Sequence, residues 1–309
     1  MRADPTRPRP NPPRRTAPVA PGAATLAAPR PRPGPATLLR APEWIAMYHS
    51  VTRVGDDPYR ITVTPERLDD QLARLRRRGL RGVSVRELMA ARAAGRARGL
   101  VALTFDDGYA DFLDHALPVL RRRGCGATLF VLAGRLGGDN AWDPLGARKP
   151  LLTADGVREA AAAGVEIGSH GLTHLDLTRV DDAVLHAETH DSRARLRELT
   201  GTEVSGFCYP YGTLDARVVA AVRTAGYHYG CAIAPGALAG ELALPRVHIG
   251  QEDTGLRLEL KRVLSPLRRP MPAPEGAPVR AGRPGAPRRA APRIGAHRTP
   301  AAPVHPESP

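Results

Sequence analysis

The sequence predicts an α/β chain whose core closes as a (β/α) barrel, and three observations point there. Short apolar runs alternate with amphipathic stretches, the pattern of successive strand–helix units. About seven such units fit into the central region, residues 43–265. That region is nearly neutral, with 29 basic and 28 acidic residues, and is long enough to bury a large single core. An open, doubly wound sheet is the competing architecture. No G-x-G-x-x-G or phosphate-binding loop follows the early strands, which argues against a nucleotide site.

Taken in order, residues 44–48 read as the first strand and 65–78 as a helix. Pro65 opens that helix, Leu68, Leu72 and Leu75 share one face, and Gly79 ends it. Strands are expected at 83–85, 101–105, 128–132, 165–167, 204–208, 229–233 and 244–249. Helices are expected at 113–123, 153–163, 181–199 (the longest) and 215–225, three of them followed by a glycine stop at Gly124, Gly164 or Gly201.

The two ends differ from this core. Residues 1–42 carry twelve prolines, eight arginines and one acid, Asp4; residues 266–309 carry twelve prolines, eight arginines and two acids. These ends hold a net +7 and +6 of the formal +14, so the basicity belongs to segments too poor in large apolar residues to fold. They are expected to be disordered tails whose contact with anionic surfaces is weak and salt-sensitive, without specific nucleic-acid recognition. No run of about 18 apolar residues predicts a transmembrane span. Residues 17–28, broken by Pro18, Pro21 and Gly22, do not form the apolar stretch of a secretory signal. Cys125, Cys208 and Cys231 include no C-x-x-C pair and read as free thiols.

Three segments carry chemistry. Thr104-Phe105-Asp106-Asp107-Gly108-Tyr109 places two carboxylates at the end of an apolar strand, where like charges repel unless a cation intervenes. Consecutive strand residues point to different sides, so the two acids suit different tasks; a helix cap followed by a first-turn acid is the plain alternative. Ser169-His170-Gly171-Leu172-Thr173-His174 follows another strand, and histidines four apart can converge on one metal. Alone, such a pair is a weak signal. Its placement after a strand of the same barrel would bring it to the same face as the acids. Tyr209-Pro210-Tyr211-Gly212 ends a third strand and would aim a backbone N–H at a developing oxyanion, or be an ordinary turn with packed aromatics.

In this order and spacing, TFDDGYAD, SHGLTH and YPYG resemble the polysaccharide deacetylase family (carbohydrate esterase family four), over residues 44–266. Met47-Tyr48-His49 is similar to the branch that includes exopolysaccharide deacetylases. The resemblance implies a distorted (β/α)7-8 barrel and hydrolysis of acetyl groups, N-acetyl foremost, from a glycan. It implies Asp106 as base and one divalent metal, zinc before cobalt, nickel or manganese, on Asp107, His170 and His174. It also implies the Tyr211 N–H in the oxyanion hole, and a task in the cell envelope or outside the cell. For the general acid, His49 at the end of the first strand is favoured over His248 near the last. Where the family often carries an arginine that pairs with the base, this chain has Cys208; Arg246 is the candidate replacement. Trp142, in the long loop 137–150 with Asn140, and Arg246 are candidates for substrate contact. His115, His186, His190 and His228 read as surface or packed residues. A metal hydrolase of a non-sugar amide or imide, favoured by a narrow apolar pocket, and an inert polymer-binding module are the other readings.

Overall fold

The structure, a computed structural model, describes residues 44–264; the expected terminal tails, 1–42 and 266–309, lie outside the described residues. Strand β1 (Ile45–Tyr48) is followed by a small parallel pair, β2 (Ser50–Val51) and β3 (Thr62–Val63). Helix α1 (Pro65–Arg77) starts at Thr64, whose side chain accepts from Arg67 N, and buries Leu68, Leu72 and Leu75. Next come β4 (Arg81–Val83), α2 (Val85–Ala93), β5 (Leu100–Phe105), α3 (Leu117–Arg123), β6 (Thr128–Val131), α4 (Ala154–Ala162) and β7 (Glu166–Ser169). Then follow α5 (Asp182–His186), α6 (Ser192–Thr200), β8 (Gly206–Cys208), α7 (Ala216–Thr224), β9 (Tyr229–Ala232), β10 (Leu244–Pro245), β11 (Val247–His248) and α8 (Gly255–Leu264).

All pairings in the main sheet are parallel, and its order runs β10-β9-β8-β7-β6-β5-β1-β11. The two ends of that order are one extended segment. Leu244 pairs with Cys231 of β9, and Val247 pairs with Ala46 of β1, so the chain passes from one edge to the other at Arg246 and closes the ring. Strand β5 changes neighbours along its length: Leu100 to Ala102 pair with β4, while Thr104 and Phe105 pair with β6.

Period-two alternation sorts the side chains. Val101, Leu103 and Phe105 of β5 pack outward in the layer shared with the helices, while Ala102 joins the barrel interior. Tyr229, Phe130, Cys208 and Cys231 fill that interior, and Gly168 is small because a Cβ there would lie 2.5 Å from the Phe130 ring. The lower end of the barrel is tied by a buried carboxylate. Glu166 accepts from Thr128 Oγ1 at 2.7 Å, from Tyr229 Oη at 2.9 Å and from Arg86 N, in the first turn of α2, at 3.0 Å.

Three expectations need correction. The strand expected at 83–85 is Arg81–Val83, because Ser84 caps α2 by accepting from Glu87 N, and α2 itself was not anticipated. The long helix expected at 181–199 is interrupted by a π-turn, Ala187–Asp191. There the Ser192 hydroxyl donates to Glu188 O at 2.6 Å and Tyr227 Oη donates to Thr189 O at 2.9 Å, satisfying carbonyls displaced from the α-helical ladder. The last strand, expected at 244–249, breaks at Arg246. Helix α8 was also not foreseen.

Glu166→Gln swaps an acceptor for a donor facing these three donors, and is expected to destabilise the fold by about 2–3 kcal/mol, read as a lowered urea midpoint at unchanged slope.

Candidate functional site

Asp106, one residue past β5, continues the inward series of Ala102 and Thr104, and His49, one past β1, is brought beside it at the upper end of the barrel. His170 follows β7 in the same way. These residues line one open cleft of about 260 Å³ with Asp107, His174, Trp142, Tyr211 and Arg246. Tyr59, Ile61, Asp143 and Ile233, none anticipated from sequence, complete its walls. Three of the four non-glycine residues with left-handed backbone among those described, Asp107 (φ 71°), His174 (φ 67°) and Tyr211 (φ 58°), sit here. Such conformations persist only where surroundings enforce them.

Arg246 meets Asp106 face to face. Its two terminal nitrogens donate to Asp106 Oδ1 at 2.6 Å and Oδ2 at 2.7 Å, in a bidentate pair with both side chains buried. The same guanidinium donates to Thr104 Oγ1 at 3.1 Å and contacts Cys208 Sγ at 3.0 Å. Burial alone would push the Asp106 carboxyl up, but Arg246 outweighs it and holds the group below the usual carboxylate range. Cys208 thus packs beside a guanidinium that arrives from another strand.

Asp107 turns the other way, toward the histidines. His170 Nε2 and His174 Nε2 stand 3.3 and 3.4 Å from Asp107 Oδ1, a buried oxygen with no hydrogen-bond partner. His170 Nδ1 lies 2.8 Å from Cys208 O; a carbonyl only accepts, so Nδ1 carries a proton and Nε2 is the ring nitrogen left to hold a metal. One carboxylate and two imidazole nitrogens, all within 4.8 Å of one another around an orphaned oxygen, fit a divalent metal. A second grouping, Asp106, His170 and Cys208, fits poorly: Arg246 occupies both Asp106 oxygens, and burial pushes the Cys208 thiol far up, away from the thiolate a metal needs.

Behind the histidines stands Glu188, a buried acid in the π-turn. It accepts from Leu172 N at 2.6 Å, Thr173 N at 3.3 Å and Thr173 Oγ1 at 2.5 Å, gripping the loop between His170 and His174. Gly171 (φ 85°) is required there, since a Cβ would lie 2.5 Å from Glu188 Oε2. Asp111, the third acid of TFDDGYAD, accepts from Ser50 Oγ at 2.5 Å and Val51 N at 3.1 Å, fixing the backbone just after His49. Lys149 donates to Ser50 Oγ at 3.1 Å and Thr62 Oγ1 at 2.5 Å, tying the long loop to the same point. The repeated aspartate spacing of the first motif was the available signal for Asp111; nothing near Glu188 or Lys149 in sequence announced theirs.

The remaining candidates divide. His49 Nε2 lies 3.9 Å from Asp106 Oδ2; burial lowers its pKa while Asp106 and Asp107 oppose the shift. His248, with its ring centre 6.2 Å from that of His49, does not line the cleft, and burial and then His49 push it down to about 4. Trp142 stacks on His174 at 4.7 Å, so it packs that histidine's ring face and lines the cleft at once. Tyr211, half exposed, meets His174 edge-on at 4.4 Å. Asn140 is buried and shapes its own loop, accepting from Lys149 N at 2.8 Å and donating to Ala147 O at 3.2 Å.

Comparison with known proteins adds to this geometry. The sequence profile of the family described as polysaccharide deacetylase matches residues 94–230, which include all three motifs. A Bacillus subtilis protein, YxkH, whose name assigns it to the polysaccharide deacetylases, is 27% identical over 216 residues, covering 68% of this chain and 72% of that protein. A chitin deacetylase of Colletotrichum lindemuthianum is 30% identical over 130 residues, 42% of this chain and 49% of that one. Among solved structures, the Streptococcus pyogenes deacetylase PplD in complex with acetate superposes with a TM-score of 0.60 at 25% identity, over 70% of this chain and 96% of that one. The barrel is therefore of the deacetylase kind.

Arg246→Met would leave Asp106 buried without its cation and is expected to destabilise the fold by about 3–5 kcal/mol at neutral pH. Because the folded-state pKa of Asp106 is lowered, the pair's stabilisation is present above the unfolded value of about 3.9 and fades as pH falls through the lower folded one. The gap between variant and wild type in urea midpoint should therefore narrow at acid pH.

Proposed function

Since residues 94–230 belong to the polysaccharide deacetylase family, we propose that this hydrolase of sugar-polymer acetyl groups cleaves N-acetyl foremost, with a divalent metal, zinc before cobalt, nickel or manganese, held by Asp107, His170 and His174. The observation that carries the reading is the division of the acid pair. Asp106 is neutralised by Arg246, while Asp107 Oδ1 is left facing two imidazole nitrogens. Asp106 is thus held ionised, with a second lone pair on each oxygen to take a proton, and Asp107 is left to hold a cation.

When bound, the metal supplies Lewis-acid polarisation and eases deprotonation of water. The chain's own residues do the rest. Asp106, kept ionised, takes the proton from the attacking water. The Tyr211 backbone N–H is assigned to the oxygen on which negative charge develops; the left-handed backbone of Tyr211 at the cleft wall supports that role. His49 gives a proton to the leaving nitrogen, so that the amine departs neutral. His248, held down to about 4, is unprotonated near neutrality and serves poorly as that donor.

An acetylated glycan suits the cleft. Its walls carry Trp142, Tyr59 and Tyr211, with Tyr59 and Tyr211 reaching solvent, and aromatic faces of this kind match the apolar faces of sugar rings. A narrow apolar pocket, which would favour a small amide or imide, is not what these residues build. Arg246 lines the cleft with both terminal nitrogens on Asp106, so its first task is the support of that acid.

Acetate release should be measured on N-acetylglucosamine oligomers, O-acetylated xylan and peptidoglycan, before and after chelation and return of each metal. Activity on the first substrate, lost on chelation and restored by zinc, is expected; Asp106→Asn should lower kcat about a thousandfold. Full activity in that variant would end the mechanism. Glu188→Ala should weaken zinc binding by about 10–100-fold in a competition titration, and saturating zinc should return most of kcat. An unchanged zinc affinity would reduce Glu188 to a purely structural role.

A further inference from the structure

Helix α8 exposes more large apolar side chains than it buries. Leu258 alone faces inward and is buried; Glu259, Lys261 and Arg262 are partly buried and Arg257 is exposed. Lys261 donates to Asp253 Oδ2 at 2.5 Å and His248 O at 2.8 Å, and Arg262 pairs with Glu259 at 3.0 Å. The outward face is apolar: Leu256 is 75% exposed, Val263 53%, Leu260 49% and Leu264 39%. Of the nine large hydrophobic residues exposed among the described residues, four fall on these three turns; several of the others rim the catalytic cleft or its approaches. Contiguous apolar surface of this kind marks an interaction site.

Chemistry narrows the partner. A second copy is disfavoured on two counts. Ten residues make a helix about 15 Å long, and four side chains on it fall well short of the roughly 800 Å² per partner that a stable dimer buries. Each copy also carries a formal +14, so close approach is opposed by like charge. Residues 265–309, which follow the helix directly, hold eight arginines against two acids and only five large aliphatic residues. That composition is complementary to anions and poor in material to cover four apolar side chains. An anionic glycopolymer would answer the arginines and leave the leucines in water. A bilayer with anionic headgroups answers both, and pairing an apolar face with a polybasic segment is the two-signal arrangement that reversible surface anchoring requires.

We propose that the outward face of α8 docks the chain on an anionic lipid bilayer, with Leu256, Leu260, Val263 and Leu264 entering the interfacial layer and the arginines of 265–309 meeting the phosphate headgroups. No helix among the described residues is long and apolar enough to cross a membrane. The inference stands apart from the proposed chemistry, since none of these residues lines the cleft.

The test uses the full chain and its Leu256→Ser/Leu260→Ser/Val263→Ser variant. Both are sedimented with vesicles of phosphatidylglycerol and phosphatidylcholine, and with vesicles of phosphatidylcholine alone, while light scattering reports the oligomeric state. Thermal unfolding checks that the variant is folded; these side chains are exposed, and its midpoint should match wild type. Wild type should partition onto the anionic vesicles and not the neutral ones, more weakly at high salt, and the variant should lose on the order of tenfold or more in partitioning. Three outcomes overturn the proposal: no binding of wild type to anionic vesicles, equal binding by the variant (which assigns attachment to the basic segments alone), or a wild-type dimer that the variant dissolves.

Discussion

The bidentate pair between Arg246 and Asp106 is the interaction on which the other features of the site depend. Arg246 stands where the last extended segment leaves β9 and joins β1, so the residue that closes the barrel also fixes the charge of the acid at its mouth. Two adjacent buried carboxylates would normally share a proton. Here each has its own partners: the Arg246 guanidinium for Asp106, and the imidazoles of His170 and His174 for Asp107. Separate partners hold both carboxyls below the usual range a residue apart. It also explains how Cys208 is tolerated beside the base. The thiol occupies space next to a guanidinium delivered across the barrel, and its own burial keeps it neutral.

Holding these groups in place costs backbone strain, and the surrounding contacts show how it is sustained. Asp107, His174 and Tyr211 all adopt left-handed conformations without being glycine. His174 is enclosed between the Trp142 ring and the edge of Tyr211, and the loop before it is gripped by Glu188. Glu188 reaches that loop from a π-turn, whose extra residue is accommodated by hydroxyl groups from Ser192, Thr189 and Tyr227. The supports for the donor set thus extend through α5, α6 and the start of β9.

What was legible in sequence was whatever local pattern dictates. Strand positions followed from apolar runs, and the placement of Asp106 and His170 at strand ends followed from the residues just before them. Arg246 was visible only as a candidate, because its partner lies 140 positions away and no local periodicity encodes a barrel closure. The π-turn was illegible for a related reason. The run from 181 to 199 has good helical composition, and the insertion is stabilised by Tyr227, which belongs to another element. Helix α2 should have been read, since Ser84 and Glu87 form a capping signature; an apolar Val83-Val85 pair hid it behind a strand. Trp142 was visible only as an aromatic in a long loop, and its stacking on His174 depends on a contact between segments more than thirty residues apart.

The same supports bear on which histidine donates the proton. His49 and His248 face each other across 6.2 Å between ring centres, on neighbouring strands, so distance alone does not choose between them. Their surroundings differ. Burial, His49 and the Lys261 ammonium oppose protonation of His248, the Asp253 carboxylate and a hydrogen bond to Arg60 favour it, and the balance leaves it at about 4. Burial lowers the pKa of His49 as well, while Asp106 and Asp107 oppose that shift. Its backbone is pinned on the far side by Asp111 through Ser50 and Val51, and Lys149 joins the same hydroxyl. A proton donor must be charged when the leaving nitrogen needs it and must not move when it discharges. His49, the proposed donor, has two aspartates that favour its charge and an anchor that fixes its strand end beside Asp106.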